Sequence, residues 1–164
     1  MLHNILANTY TQLYVQFVFP VRGREFLVKE FFREELEKIM CGIVSNHNCK
    51  TYSIYCNPDH THIFAGMHPT IAPSKLMEQV KSGSSKWLND KKYIPGKFSW
   101  QDGYGAFSYS RSQIDAVVKY ILNQPEHHKK QSFREEYLLL LKKFNIDFDE
   151  KYLFDFYDDI RVKP

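Results

Sequence analysis

The segment Asn57–Pro69 reads NPDHTHIFAGMHP and sets His60 and His62 on either side of Thr61. The run alternates, and in a β-strand residues two apart project to the same face. The imidazoles then stand side by side, with Phe64 farther along the row, while Thr61, Ile63 and Ala65 point the other way, toward helices. On an open sheet face such a pair can converge on one divalent metal. Two ligands hold a metal weakly, so a third has to come from another element; the plain alternative is a pair of surface histidines. A second cluster lies in IDAVVKYILNQ, where Tyr120 and Gln124 are four residues apart and Gln113 is seven before Tyr120. On a helix these share a line at the edge of the apolar stripe. Taken alone, the tyrosine is an ordinary core or boundary residue and the glutamine a solvated one.

The surrounding elements have to position both clusters. YTQLYVQFVF alternates, with Leu13, Val15, Phe17 and Phe19 on one face and Gln12, Tyr14, Gln16 and Val18 on the other, which predicts a half-buried strand. Pro20 and Gly23 break it. From Phe26 to Asn46 the apolar spacing becomes helical through Phe32, Leu36, Ile39 and Ile43. TYSIYCN and HTHIFAGM form a hairpin about the Pro-Asp turn. A helix restarts with Ser74 as N-cap and runs to Lys91, weakened at Gly83 by about 1 kcal/mol relative to alanine. KFSWQDGYGAFSYS reads as a strand with a glycine-containing middle. RSQIDAVVKYILNQ is a helix striped by Ile114, Val117, Val118 and Ile121, and Pro125 ends or kinks it. SFREEYLLLLKKF is a further helix, with Ser132 and Glu135 in capping-box spacing.

The order is βαββαβ followed by helices. It predicts an α+β fold, a ferredoxin-like or RRM-like antiparallel sheet with helices on one face and additional C-terminal helices. That order fixes no function by itself. The expectation is one domain over residues 1–164, with the acidic, aromatic stretch 146–164 as a docking tail.

With 164 residues, 43% hydrophobic and 16% aromatic, the chain has the means for a sizeable core and is not a disordered tail. A net charge of +3 permits an anionic partner without demanding one. Three cysteines without CxxC pairing argue against a disulfide framework or a zinc knuckle. The start MLHNILANTYTQ lacks the pattern of a signal peptide, and no apolar run approaches the roughly 20 residues of a membrane span. The expected setting is the cytoplasm, with no membrane partner.

Five stretches together carry a family resemblance: NTYTQLYVQFVF, PDHTHIF, SSKW, FSWQDGYGAFSYS and VVKYILNQPEHH. In that order they resemble the single-tyrosine HUH transposases of the IS200/IS605 type, whose relatives include the REP-associated tyrosine transposases. One departure is Thr61, where an apolar residue is more usual; threonine is β-branched and suits a strand.

The resemblance implies a DNA transposase, a metal-dependent single-strand endonuclease and strand transferase that cuts and rejoins single-stranded DNA. Tyr120 would be the nucleophile, forming a 5′-phosphotyrosine link and freeing a 3′-hydroxyl. His60 and His62 would bind Mg²⁺ or Mn²⁺, with Gln124 completing the protein ligands. A phenol has a pKa of about 10 and attacks weakly at neutral pH; a metal on the phosphate oxygens offsets that. The resemblance also implies recognition of hairpins at element ends and a homodimer, in which the tyrosine helix of one subunit can complete the histidine site of the other.

Candidate DNA contacts are Arg22 and Arg24 after the first strand, Lys81, Lys86, Lys91 and Lys92 in and after the second helix, and Lys129 and Lys130. Trp87, Trp100, Tyr104 and Phe107 are either base-stacking or core residues, and His127 and His128 are expected to face solvent or DNA. The competing reading is a non-catalytic or domesticated RRM-like single-stranded nucleic-acid binder.

Overall fold

In a computed structural model, which describes residues 8–23 and 26–156, four strands form one antiparallel sheet in the order β2-β3-β1-β4. The strands are β1 (Tyr14–Pro20), β2 (Lys50–Cys56), β3 (His60–Gly66) and β4 (Gly105–Tyr109). The helices are α1 (Glu30–Asn46), α2 (Pro73–Lys91), α3 (Ile114–Leu122), α4 (Gln124–His127) and α5 (Phe133–Lys143). This is the ferredoxin-like arrangement expected from the sequence.

Alternation along the two central strands sorts their side chains to two faces. Phe17 and Phe19 of β1 and Ile63 and Ala65 of β3 pack with Phe32, Leu36 and Met40 of α1 and Leu76, Val80 and Leu88 of α2. Each buried large side chain contributes about 1.5–3 kcal/mol, so this layer is the main core. Gly83 lets the two helices meet: a Cβ there would lie 2.6 Å from Cδ1 of Ile43. Trp100 closes the end of the layer, its indole N–H donating to Ser84 Oγ at 2.9 Å. α2 begins with Pro73 in its first turn after Ala72, without the Ser74 side-chain cap expected.

The opposite face is covered too. α3 lies over Phe64 through Val117 and Ile121, and α5 lies over Val18 and Phe107 through Phe133, Tyr137, Leu140 and Leu141. Leu153, Phe154 and Phe156 pack beside them. This corrects the expectation of an open face around the histidines: His60 and His62 are fully buried. β1 is accordingly buried on both faces rather than half-buried. The reason is that α3 and α5 each have an apolar stripe, and the second face of the sheet is the surface that satisfies both.

Two segments differ locally from their sequence reading. KFSWQDGYGAFSYS yields a strand only from Gly105, because Gly103 turns the chain at φ +84°; Trp100 makes an isolated bridge to Val21. The tyrosine helix ends at Leu122, and a short α4 restarts at Gln124 with Pro125 in its first turn. The Ser132–Glu135 capping box forms as expected. Among the described residues no helix is long and apolar enough to cross a membrane.

Candidate active site

The strand period brings His60 and His62 to one face of β3, their ring centroids 5.1 Å apart. Each ring is held from behind. Nδ1 of His60 is 2.7 Å from Oδ1 of Asp59, and the ring stacks on Phe133 at 4.0 Å. Nδ1 of His62 is 3.0 Å from Nε2 of Gln16, whose Oε1 accepts from the Tyr109 hydroxyl at 2.7 Å. Such contacts fix ring orientation and leave both Nε2 atoms pointing forward.

Both Nε2 atoms meet the same atom. Oε1 of Glu136, from α5, lies 2.8 Å from Nε2 of His62 and 3.2 Å from Nε2 of His60. Its Oε2 accepts from the Tyr120 hydroxyl and, at 2.8 Å, from Nε2 of Gln124. Nε2 of His128 is 3.3 Å from Oε1 of Glu136 and 2.9 Å from Oε1 of Gln124. That corrects the solvent- or DNA-facing expectation for His128, because the turn after α4 folds it inward over His60, with ring centroids 4.7 Å apart. His127 lies against the Tyr120 ring at 4.7 Å. The site is thus a seam between α3 and α5, polar in its middle and apolar at both ends.

The electrostatics follow from burial and from two buried carboxylates, Glu136 and Asp59. Burial opposes charge on His60, but Asp59 and Glu136 outweigh it and raise its pKa to about 9. Burial dominates at His62 and lowers its pKa despite Glu136. Glu136 is buried, yet the three histidines hold its carboxyl far below the usual range. Burial first, and Glu136 second, push the Tyr120 phenol well above its ordinary value, so this arrangement holds it protonated.

His60, His62 and Glu136 each offer one ligand atom, and all three atoms lie within 4.8 Å of one another. Two imidazole nitrogens and a carboxylate oxygen are a donor set for a divalent ion such as Mn²⁺. Gln124 reaches the same place, but its amide presents nitrogen to the carboxylate, and its oxygen is taken by Asn57 at 2.9 Å and by His128. The sequence reading did not single out Glu136. Its signal is an acid within the apolar stripe of α5, three residues after Phe133 and four before Leu140. A charge there has to find buried partners.

A sequence model of a family described as "Transposase IS200 like" matches residues 9–124. The chain belongs to the IS200-like transposase family. No curated protein matches the transposase. Among solved structures it is similar to "a putative transposase from Deinococcus radiodurans" at 17% identity and a TM-score of 0.58, covering 72% of this chain and 95% of that one. It is also similar to a REP-associated tyrosine transposase bound to a REP hairpin, at 13% identity and a TM-score of 0.54, covering 77% and 74%. At these identities the likeness is one of fold. The family match stops at Gln124, so Glu136 and the whole of α5 lie beyond it.

The candidate DNA contacts do not gather around this site. Lys81, Lys86 and Lys91 lie on α2, with Lys92 at its end, against the other face of the sheet. Lys81 donates to the carbonyls of Gln101 and Gly103 at 2.6 and 2.7 Å. Arg22 pairs with Asp102 at 2.9 Å, Lys86 with Asp90 at 2.6 Å, and Lys129 with Glu126 at 2.8 Å. Lys91 sits over Trp87, and Lys130 is exposed beside Lys129. Arg24 lies outside the described residues. Trp100 and Phe107 are buried core residues, and Trp87 and Tyr104 pack partly buried against the main core. A stacking binder needs an open sheet, and both faces of this one are covered.

Proposed function

We propose that the transposase cleaves and rejoins single-stranded DNA through Tyr120, at sites marked by hairpins at the element ends. The observation that carries this is the convergence of the Tyr120 hydroxyl, both histidines and Gln124 on one buried anionic point, now filled by Glu136. In the forward reaction the Tyr120 oxygen bonds to phosphorus and loses its proton, while the P–O3′ bond breaks and the 3′-oxygen leaves as a hydroxyl, taking up a proton. One phosphodiester replaces another, so the reverse step is nearly isoenergetic and rejoins the strand.

His60, His62 and Glu136 would hold Mg²⁺ or Mn²⁺, with Gln124 joining after an amide flip; the bound ion supplies Lewis-acid polarisation of the phosphate. Asp59 and Gln16 orient the two imidazoles. Tyr120 must break its bond to Glu136 to attack, and a ligand at the carboxylate favours that. His62 Nδ1 accepts from Gln16 in this arrangement; were Nε2 to hold the ion, Nδ1 would carry the proton and Gln16 would offer its oxygen to it.

Tyr120 and the histidines meet within one chain, so a site complete in each subunit stands beside the shared site as part of the proposal. A homodimer through the outer edge of β4 or through the tyrosine helix is proposed as well, and a monomer at micromolar concentration by light scattering removes it. Residues 1–164 would act as one domain in the cytoplasm, with 146–164 as its docking tail, of which 157–164 lie outside the described residues; packing of Phe154 and Phe156 on Phe133 supports that role. Hairpin recognition is supported by the fold shared with the hairpin-bound neighbour.

The test uses a labelled single-stranded oligonucleotide carrying a hairpin from DNA flanking the gene, with Mn²⁺, Mg²⁺ or EDTA. Wild type should give a protein–DNA adduct whose modified peptide contains Tyr120, and Tyr120→Phe should give none. An adduct on another tyrosine, or full cleavage in EDTA, refutes the assignment.

A further inference from the structure

Beside Tyr120 the seam between α3 and α5 opens into a cavity of about 360 Å³. Tyr120 and Glu136 form part of its wall, so the cavity is continuous with the proposed site of chemistry. Val117 and Leu140 give it apolar sides, and Tyr109 gives it an aromatic one. The polar groups are few and sit apart. Gln113 turns its oxygen to Ser110 at the start of the tyrosine helix, leaving its amide N–H groups without a partner among the described residues. Lys143 stands with Nζ 5.4 Å from the Tyr109 ring centroid and makes no ion pair among the described residues.

We propose that this cavity is a nucleobase pocket, taking the base of a nucleotide next to the phosphodiester presented to Tyr120. The inference rests on the phosphotyrosine reading and adds to it a residue set for gripping the reacting strand. Four features select this occupant. The volume lies at the low end of small-ligand sites, which suits one flat heterocycle. The Tyr109 ring beside aliphatic walls becomes a stacking platform when the Lys143 ammonium that lies over it swings to the phosphate. An amide donor addresses the hydrogen-bonding edge that an unpaired base exposes. An unpaired lysine at the same opening complements the phosphate attached to that base. Only an unstacked base can enter, so the pocket also explains why the strand must be single.

The probe is each of the four deoxynucleoside 5′-monophosphates, titrated into the full-length protein. Methyl NMR of Ala116, Val117 and Leu140 is the readout, and 2-deoxyribose 5-phosphate is the base-free control. At least one nucleotide should shift these methyls saturably at millimolar concentration, and the control should not. Leu139→Trp, at an exposed position on the cavity wall, should fill the space and abolish the shifts; a thermal melt checks that it folds. Lys143→Ala should weaken binding by about threefold to tenfold.

Equal shifts with the base-free control, shifts that persist in Leu139→Trp, or no shifts with any nucleotide overturn the pocket. A Tyr120 adduct together with a flat titration overturns the pocket alone. Saturable binding with no adduct on any substrate strand overturns its placement beside a reacting phosphodiester.

Discussion

Replacing Glu136 by glutamine keeps the shape of the side chain and removes the charge on which three histidines and Tyr120 converge. Truncating one partner of a buried ion pair costs about 3–5 kcal/mol; glutamine retains an acceptor, so the expected cost is nearer 2 kcal/mol. A second route gives a similar size. The rise of the His60 pKa from 6.5 to about 9 corresponds to roughly 3 kcal/mol in favour of the charged ring, divided between Asp59 and Glu136.

For a domain of this length, 2 kcal/mol is a fall in Tm of about 4–8 °C. The loss depends on pH with a definite sign. A histidine whose pKa is raised on folding contributes fully below about 6.5, and that contribution disappears as pH rises through about 9. The gap between wild type and Glu136→Gln should therefore be widest near pH 6 and smaller at pH 9.5, measured by thermal melts without added metal. A gap under about 1 °C at pH 6, or one that widens with pH, refutes the account of Glu136 as the anion that holds the site together.

Other expectations follow from burial. His60→Ala and His62→Ala each leave a cavity and an under-compensated Glu136, so both should lose about 3–5 kcal/mol in urea unfolding; unchanged midpoints would restore the open-face view. Gly105→Val should push α5 off the sheet, because a Cβ there comes within 2.8 Å of the Tyr137 ring. Faster hydrogen exchange confined to α5 and a loss of about 1–3 kcal/mol would show it, and unchanged exchange would refute it. Tyr120→Phe removes one hydrogen bond, so its Tm should fall by no more than a few degrees while the DNA adduct vanishes.

The sheet and the histidine pair were legible because strand alternation is local: a period of two places His60, His62 and Phe64 in one row wherever the strand ends up. Tyr120 was legible on its helix for the same reason, and Gln124 still comes beside it although the helix breaks at Asn123 and restarts at Gln124. What covers that row was not. The stripe of α5 states that the helix docks but not against which surface, and the histidine face was therefore read as open. Glu136 was hidden by its company, since FREEYLLLL reads as an ordinary surface acid next to a core stripe. The lysines show the converse limit. Sequence spacing groups Lys81 with Lys86 as one basic run, yet one is tied to two carbonyls and the other to an aspartate.

Glu136 stands 76 residues after His60 along the chain, and that distance has a meaning for synthesis. Chains fold progressively from the N-terminal end as they are made, and long-range contacts form late. A growing chain that has not reached α5 possesses all four strands and both histidines, with half of one sheet face still wet. Docking of α5 then closes the site. Chains that end before α5 therefore lack the carboxylate on which His60 and His62 converge.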